Sequence, residues 1–170
     1  DLIQFYVDDP HSERVAYRVR WALQFMNPVL AKKEINTLIR NNPAVVGGAV
    51  LAEKLDKDVD YATKKANDLA KALNDTSLSE KERLGEINSL RLYRHHAVVP
   101  DVIALAKNKD NSETIRIKAL EALGWFTLSY QRNNIIAGCD DIISSEAPKA
   151  VKAEALKTKN RIKGNAHKKS

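Results

Sequence analysis

Cysteine, glycine and proline are scarce in this 170-residue chain, which contains one, six and five of them respectively. A single cysteine, Cys139, excludes an internal disulfide and argues against a zinc site or a thiol relay. Cys139 falls in a predicted apolar stripe, so we interpret it as a small buried hydrophobic residue. The few glycines and prolines favour long regular elements over a β structure rich in turns.

Membrane-spanning and catalytic signatures are missing too. No apolar run approaches the roughly 18–20 residues that cross a bilayer. The two glycines at 47–48 lack the spacing and trailing lysine of a phosphate-binding loop, and no nucleophile has a base at recognisable spacing. Adjacent residues on a helix diverge by about 100°, so neither the histidines at 95–96 nor the aspartates at 140–141 are expected to form a shared site. We therefore predict a protein that is not an enzyme and that uses no cofactor and no metal.

The formal net charge of +6 is concentrated at one end of the chain. Residues 149–170 contain eight basic side chains and one acidic side chain, Glu154, which gives a net charge of +7. The first 148 residues carry 20 basic and 21 acidic side chains, a net charge of −1. We predict a near-neutral body that ends in a basic helix and a solvated tail, with only weak and salt-sensitive affinity for nucleic acid.

A repeat runs through the second half of the chain. The dipeptide Ser-Glu begins at Ser79, Ser112 and Ser145, and the separation of the first two copies equals that of the last two. We call the separation of Ser79 from Ser112 the repeat interval. It also aligns a basic rung and three apolar rungs: Arg83, Arg116 and Lys149; Leu84, Ile117 and Ala150; Ile87, Leu120 and Ala153; Leu90, Leu123 and Leu156. The apolar rungs are three residues apart, which places them on one face of an α-helix.

Each Ser-Glu pair stands where a helix is expected to begin. A serine side chain accepts hydrogen bonds from free backbone N–H groups, and an early glutamate suits the positive end of the helix. Ser79 and Glu82 also have the spacing of a capping box. We predict helix starts near Ser79, Ser112 and Ser145, with Leu90, Leu120 and Leu123 buried between hairpins. Three helical hairpins follow: about 60–94, 97–128 and 130–163.

The front of the chain is less regular. Pro28 and Pro43 interrupt it, since a helix rarely runs through proline. We predict an amphipathic helix at Ser12–Met26 and a fourth hairpin at about 29–56. The predicted organisation is one helical repeat domain over 1–170: an irregular N-terminal cap at 1–57, regular repeats at about 60–163 and a basic tail at 164–170.

The segment from Asp110 to Gly124 resembles the second helix of a HEAT repeat, the helical hairpin of a family of scaffold proteins. The matching residues are Asp110, Ile115-Arg116, Ala119 and Ala122-Leu123-Gly124. The resemblance implies a short right-handed α-solenoid of about four stacked helical hairpins, an all-α fold. It also implies that Asp110 and Arg116 bond between neighbouring repeats. It covers about residues 60–163 and points to a fold more than to a function.

Trp125 falls outside the apolar arc of the helix predicted at 112–128, beside Lys118 and Glu121. The repeat aligns it with Leu92, and the second helix of a solenoid hairpin tends to line the concave face. The candidate partner-binding face therefore comprises Leu92, Lys118, Glu121 and Trp125. Alternatively, the indole folds over the following turn and packs against Tyr130.

Two further surface features have simpler interpretations. Trp21 and Phe25 share a helix side with two arginines, an arrangement that can bind nucleic acid but that we expect to pack against the next hairpin. Glu121 and Glu154 are separated by one repeat interval, and we expect both to be solvated repeat positions on one surface.

Three functions fit this sequence. The leading one is a non-catalytic interaction module that binds a protein or peptide partner on a curved helical face. A nucleic-acid-binding protein of HEAT-like type is disfavoured, because the first 148 residues are close to neutral. The third is an accessory domain of a larger enzyme, with the chemistry elsewhere.

Overall fold

The computed structural model describes residues 67–91 and 96–164, together with single positions between Arg14 and Lys64. The chain divides into two compact units, Asp1–Lys64 and Lys65–Ser170, and all the elements below belong to the second. The single positions of the first unit are helical. Most of the predicted N-terminal helix and fourth hairpin lies outside the described residues, and the single-domain organisation stays a prediction.

The second unit is built from helices joined by short turns. A helical stretch at 67–74 is followed by α1 (Glu80–Ser89), a 3-10 turn (His96–Val98), α2 (Val99–Lys107), α3 (Glu113–Leu123), α4 (Arg132–Ser144) and α5 (Lys149–Gly164). No strand occurs in the part of the chain that the structure describes, so the all-α prediction is confirmed there. Of the helices described, none has the length and apolar content that a membrane crossing requires.

Serine side chains begin two of the helices as predicted. The Ser79 hydroxyl accepts from the Glu82 N–H at 3.3 Å, and the Glu82 carboxylate accepts from the Ser79 N–H at 2.8 Å, which completes the capping box. The Ser79 hydroxyl also donates to that carboxylate and holds the pKa of Glu82 below its usual value. At α3 the Ser112 hydroxyl accepts from the Ile115 N–H at 3.3 Å.

The third predicted start, near Ser145, is displaced by three residues: α1 and α3 begin directly after their serines, whereas α5 begins at Lys149. Ser145 instead ends α4: its hydroxyl donates to the Ile142 carbonyl at 2.8 Å and accepts from the Ala147 N–H at 3.2 Å. Proline disfavours helical geometry at the residue before it, so a helix cannot easily include Ala147. The first carbonyl to accept a helical bond in α5 is that of Pro148, from the Lys152 N–H at 3.0 Å.

The helices of the second unit lie in two layers. In one layer α1 packs against α3 and α3 against α5, while α2 packs against α4 in the other. Across the layers α2 contacts α3 and α4 contacts α5. The predicted burial of Leu90, Leu120 and Leu123 is confirmed. Cys139 is buried as predicted, and desolvation raises the pKa of its thiol to about 11.

The basic rung of the repeat anchors two successive turns in the same way. Arg83 donates to the Leu73 carbonyl at 3.3 Å, and Arg116 donates to the Ala106 carbonyl at 2.9 Å. Donor and acceptor are ten residues apart in both pairs, and the two pairs are separated by one repeat interval. Arg116 is 5% exposed, so its charge is largely removed from water and the bond to the carbonyl offsets part of that cost.

The bond between neighbouring repeats that the HEAT resemblance implies for Asp110 is not formed. Asp110 is exposed, and its backbone N–H donates to the Asn108 side chain at 2.9 Å. The contact between repeats comes instead from the residue after it. Arg83 donates to the Asn111 side-chain carbonyl at 2.9 Å, and the Asn111 amide donates to the Leu105 carbonyl at 3.0 Å.

Two helical glycines are expected to respond oppositely to the same substitution. At Gly85 in α1 an added Cβ meets nothing within 4 Å, whereas at Gly138 in α4 it lies 2.8 Å from the Ile103 Cγ2 of α2. Replacing a helical glycine with alanine stabilises by roughly 0.5–1 kcal/mol where there is space. Overpacking costs about 1–3 kcal/mol. Urea unfolding should show Gly85→Ala more stable and Gly138→Ala less stable than the parent chain. A gain in stability at both positions would show that α2 and α4 are not in tight contact.

Candidate functional site

Lys118 and Glu121 lie on the surface of α3 and pair with each other. The Lys118 ammonium and the Glu121 carboxylate are 2.5 Å apart, and their side chains are 43% and 35% exposed. An ion pair at this spacing on a helix contributes only about 0.2–0.5 kcal/mol. The pair is thus a polar, nearly neutral patch on the layer formed by α1, α3 and α5.

Trp125 follows α3 in a turn, and the prediction of one helix over 112–128 is wrong at its end. The helix stops at Leu123, where the Gly124 N–H is shared between the carbonyls of Leu120 and Glu121. The next N–H groups make the shorter i→i+3 bonds of a tightened turn, Trp125 to Ala122 at 3.0 Å and Phe126 to Leu123 at 3.1 Å. The shared bond at Gly124 therefore marks where the regular helical pattern ends.

The Trp125 side chain fits neither of the two interpretations of the sequence completely, the exposed binding residue or the indole packed against Tyr130. It is partly buried and packs against the apolar core, and the rest of it remains accessible. Tyr130 packs against a different ring, that of His96, with centroids 6.3 Å apart and planes inclined by 33°. The other face residue, Leu92, lies outside the described residues. The structure thus pairs Lys118 with Glu121 on α3 and places Trp125 in the turn that follows the helix.

The expectation that Glu121 and Glu154 are both solvated positions on one surface is wrong for Glu154. Glu154 is 7% exposed, and its carboxylate meets the Lys157 ammonium at 3.0 Å. Thr158, which the repeat aligns with Trp125, is fully buried and donates to the Leu120 carbonyl at 2.8 Å. The face that α5 presents to α3 is therefore not the face that the repeat interval selects.

The physical reason is the late start of α5. Four of its five buried residues match buried residues of α3 and the turn after it at a separation three residues longer than the repeat interval: Ile115 with Val151, Ala119 with Ala155, Ala122 with Thr158 and Phe126 with Ile162. Three extra residues turn a helix by about 300°, which leaves the rungs of the repeat rotated by about 60°. At this longer separation Leu156 corresponds to the buried Leu120, yet it is 50% exposed, so the rotation alone does not explain it. Among the described helices α3 packs against α1, α2 and α5, whereas α5 packs against α3 and α4 only, which leaves the side of Leu156 uncovered.

The acidic pair at 140–141 serves two separate contacts, as its adjacency predicts. The Asp141 carboxylate meets the Lys107 ammonium at 2.8 Å and joins α4 to α2. Asp140 pairs with Lys159 and joins α4 to α5. Over residues 67–91 and 96–164 and the single positions before them, no three His, Cys, Asp or Glu side chains converge as metal ligands.

Among the described residues, sequence reasoning missed three large apolar side chains on the surface. Leu128 and Tyr130, in the turn between α3 and α4, are 61% and 39% exposed, and Leu156 projects from α5. The repeat places Leu156 on the rung of Leu90 and Leu123, so it gave no signal of this exposure.

Comparison with protein-family models, with curated proteins and with solved structures gives no match to this chain. Its function is therefore inferred from its own surface.

Proposed function

We propose that this chain is a non-catalytic interaction module of HEAT-like type, a short right-handed α-solenoid of about four stacked hairpins that binds a protein or peptide partner. The two-layer arrangement of α1 to α5 supports the stacking. The equivalent bonds of Arg83 and Arg116, separated by one repeat interval, support the repeat. Such arrays present a continuous surface along their second helices.

The observation that carries the binding proposal is the position of Trp125. The indole packs on the core, which restricts its rotation, yet it is only partly buried and lies in the turn directly after the helix that carries the Lys118–Glu121 pair. A tryptophan held in this way loses little conformational entropy when a partner covers it, and such residues dominate binding energies. Leu92 belongs to the same proposed face through its alignment with Trp125.

A displayed random-peptide library, selected on the full chain, tests this function. Trp125→Ala should weaken the enriched peptides by about 30-fold, which corresponds to about 2 kcal/mol of binding energy. Thr114→Ala, an exposed position in the first turn of the same helix, is the control and should leave binding unchanged.

Thermal melts of Trp125→Ala separate a binding role from a structural one. A partly exposed indole should contribute less to folding than the roughly 3–5 kcal/mol typical of a fully buried tryptophan. A loss of that full size, or enriched peptides that bind Trp125→Ala as well as the parent chain, would contradict the proposed site. Failure of the library to yield any peptide would contradict the proposed function itself.

A further inference from the structure

The outward side of α5 combines an apolar strip with a basic border. Its strip contains the exposed side chains of Ala150, Ala153 and Leu156. Its border contains the lysines of the same accessible arc: Lys149, Lys152, Lys157, Lys159 and Lys163. Together these eight residues form what we call the α5 outer face. At about 1.5 Å per residue, the 16 residues of α5 extend this face over about 24 Å.

Three of the bordering lysines have no acidic partner. Lys159 pairs with Asp140 and Lys157 with Glu154. Within the described part of the chain, no carboxylate lies in ion-pair distance of the remaining members: Lys149, Lys152 and Lys163. The face therefore carries an uncompensated positive charge.

Folding does not account for these charges. The first turns of α1 and α3 carry glutamates, which suit the positive end of a helix, whereas the first turn of α5 carries lysines and no acid. The apolar part of the face is open as well, because Ala150, Ala153 and Leu156 follow one another along the exposed side of α5. Small side chains beside an aliphatic one let another helix approach closely.

We infer that the α5 outer face docks an acidic amphipathic helix of a protein partner. The leucines of such a helix would cover Leu156 and the two alanines, and its carboxylates would meet Lys149, Lys152 and Lys163. This is the helix-in-groove type of recognition, with charge complementarity setting orientation. The inference rests on the proposed function, since it specifies a partner for an interaction module and adds a surface distinct from that around Trp125.

The apolar strip favours a protein over nucleic acid. Phosphates would engage the lysines, but they would leave Leu156 and both alanines in contact with water. An acidic helix uses both parts of the face, because its leucines bury the strip and its glutamates pair with the border. Leu156 therefore distinguishes the two classes of ligand.

Fluorescence anisotropy with the full chain tests the inference, using labelled peptides that carry leucine at every third or fourth position and glutamate between. We expect saturable binding that weakens with salt. Leu156→Ser should weaken it by about tenfold or more, and so should the double charge reversal Lys149→Glu, Lys152→Glu. The double reversal Lys81→Glu, Lys109→Glu changes the net charge equally at exposed positions elsewhere and should leave affinity within about twofold. Circular dichroism verifies that each variant remains helical.

Two controls on the probe complete the test. A peptide with serine in place of every leucine keeps the charge and should bind at least about tenfold more weakly. Random-sequence duplex DNA that binds more tightly than the peptide, depends on the two lysines and ignores Leu156→Ser would overturn the inference in favour of nucleic acid. Absence of peptide binding, or binding unaffected by both α5 variants, would also overturn it. The proposed function would survive either result if library peptides still required Trp125.

Discussion

Replacing Leu123 with alanine is expected to lower the free energy of unfolding by about 2–5 kcal/mol. Leu123 is 1% exposed and is the last residue of α3. The substitution removes buried apolar surface and leaves a cavity that the neighbouring helices fill only in part. Urea unfolding followed by tryptophan fluorescence measures the loss. In a Trp21→Phe background, Trp125 is the single tryptophan and reports on the second unit.

The matched control is the same substitution at Leu156, which occupies the equivalent position of the repeat. Its side chain is 50% exposed, and alanine has a slightly better helix propensity than leucine. Leu156→Ala should therefore change the unfolding free energy by no more than about 0.5 kcal/mol. Equal losses at both positions would show that the repeat interval describes α5 after all. A loss below about 0.5 kcal/mol at Leu123 would show that this residue does not face the core.

The contrast between Leu123 and Leu156 also shows what the sequence could predict and what it could not. Helix starts at Ser79 and Ser112 were predictable because a cap depends on residues within three positions of the serine. Burial of Leu90, Leu120 and Leu123 was predictable because both helices start at the same point of the repeat. These are local rules applied to regular units.

The repeat predicted the wrong start for α5, because a single residue displaces that helix along the chain. Ser145 and Glu146 have the residue types of the earlier caps, but Pro148 follows three residues after the serine and prevents a helix from forming through Ala147. The repeat therefore continues in the sequence while α5 starts late and turns a different side to the core. The burial of Thr158, which takes the place of the buried Ala122, follows from this rotation.

The polar contacts between repeats could not be predicted from the sequence either. The resemblance supplied Asp110 as the partner of a neighbouring arginine, and the turn places Asn111 there instead. A shift of one residue in a turn changes which side chain points to the next hairpin, and no helical periodicity constrains a turn. The candidate face was predictable only in part for the same reason: Lys118 and Glu121 follow from the helix, whereas the half-buried position of Trp125 depends on the turn after Gly124.

That turn also contains the position where we expect the largest single loss of stability. Phe126→Ala should cost about 3–5 kcal/mol, the usual range for a fully buried phenylalanine. Phe126 is 0% exposed. Among the described residues it is the largest of the fully buried side chains. Its ring meets that of His96 edge to face, with centroids 5.3 Å apart and planes at 87°, a geometry that adds to the effect of burial.

Leu128→Ala is the matched control for Phe126, because it lies two residues away in the same turn and is 61% exposed. It should change stability by no more than about 0.5 kcal/mol. Chemical unfolding of both variants, with hydrogen exchange of α3 and α4, measures the difference and locates it. If the Phe126 ring joins the turn to the core, its loss should also expose the amides at the end of α3. Equal stabilities for the two variants would mean that the turn between α3 and α4 folds without Phe126, and Trp125 would then lose the fixed support that its proposed role requires.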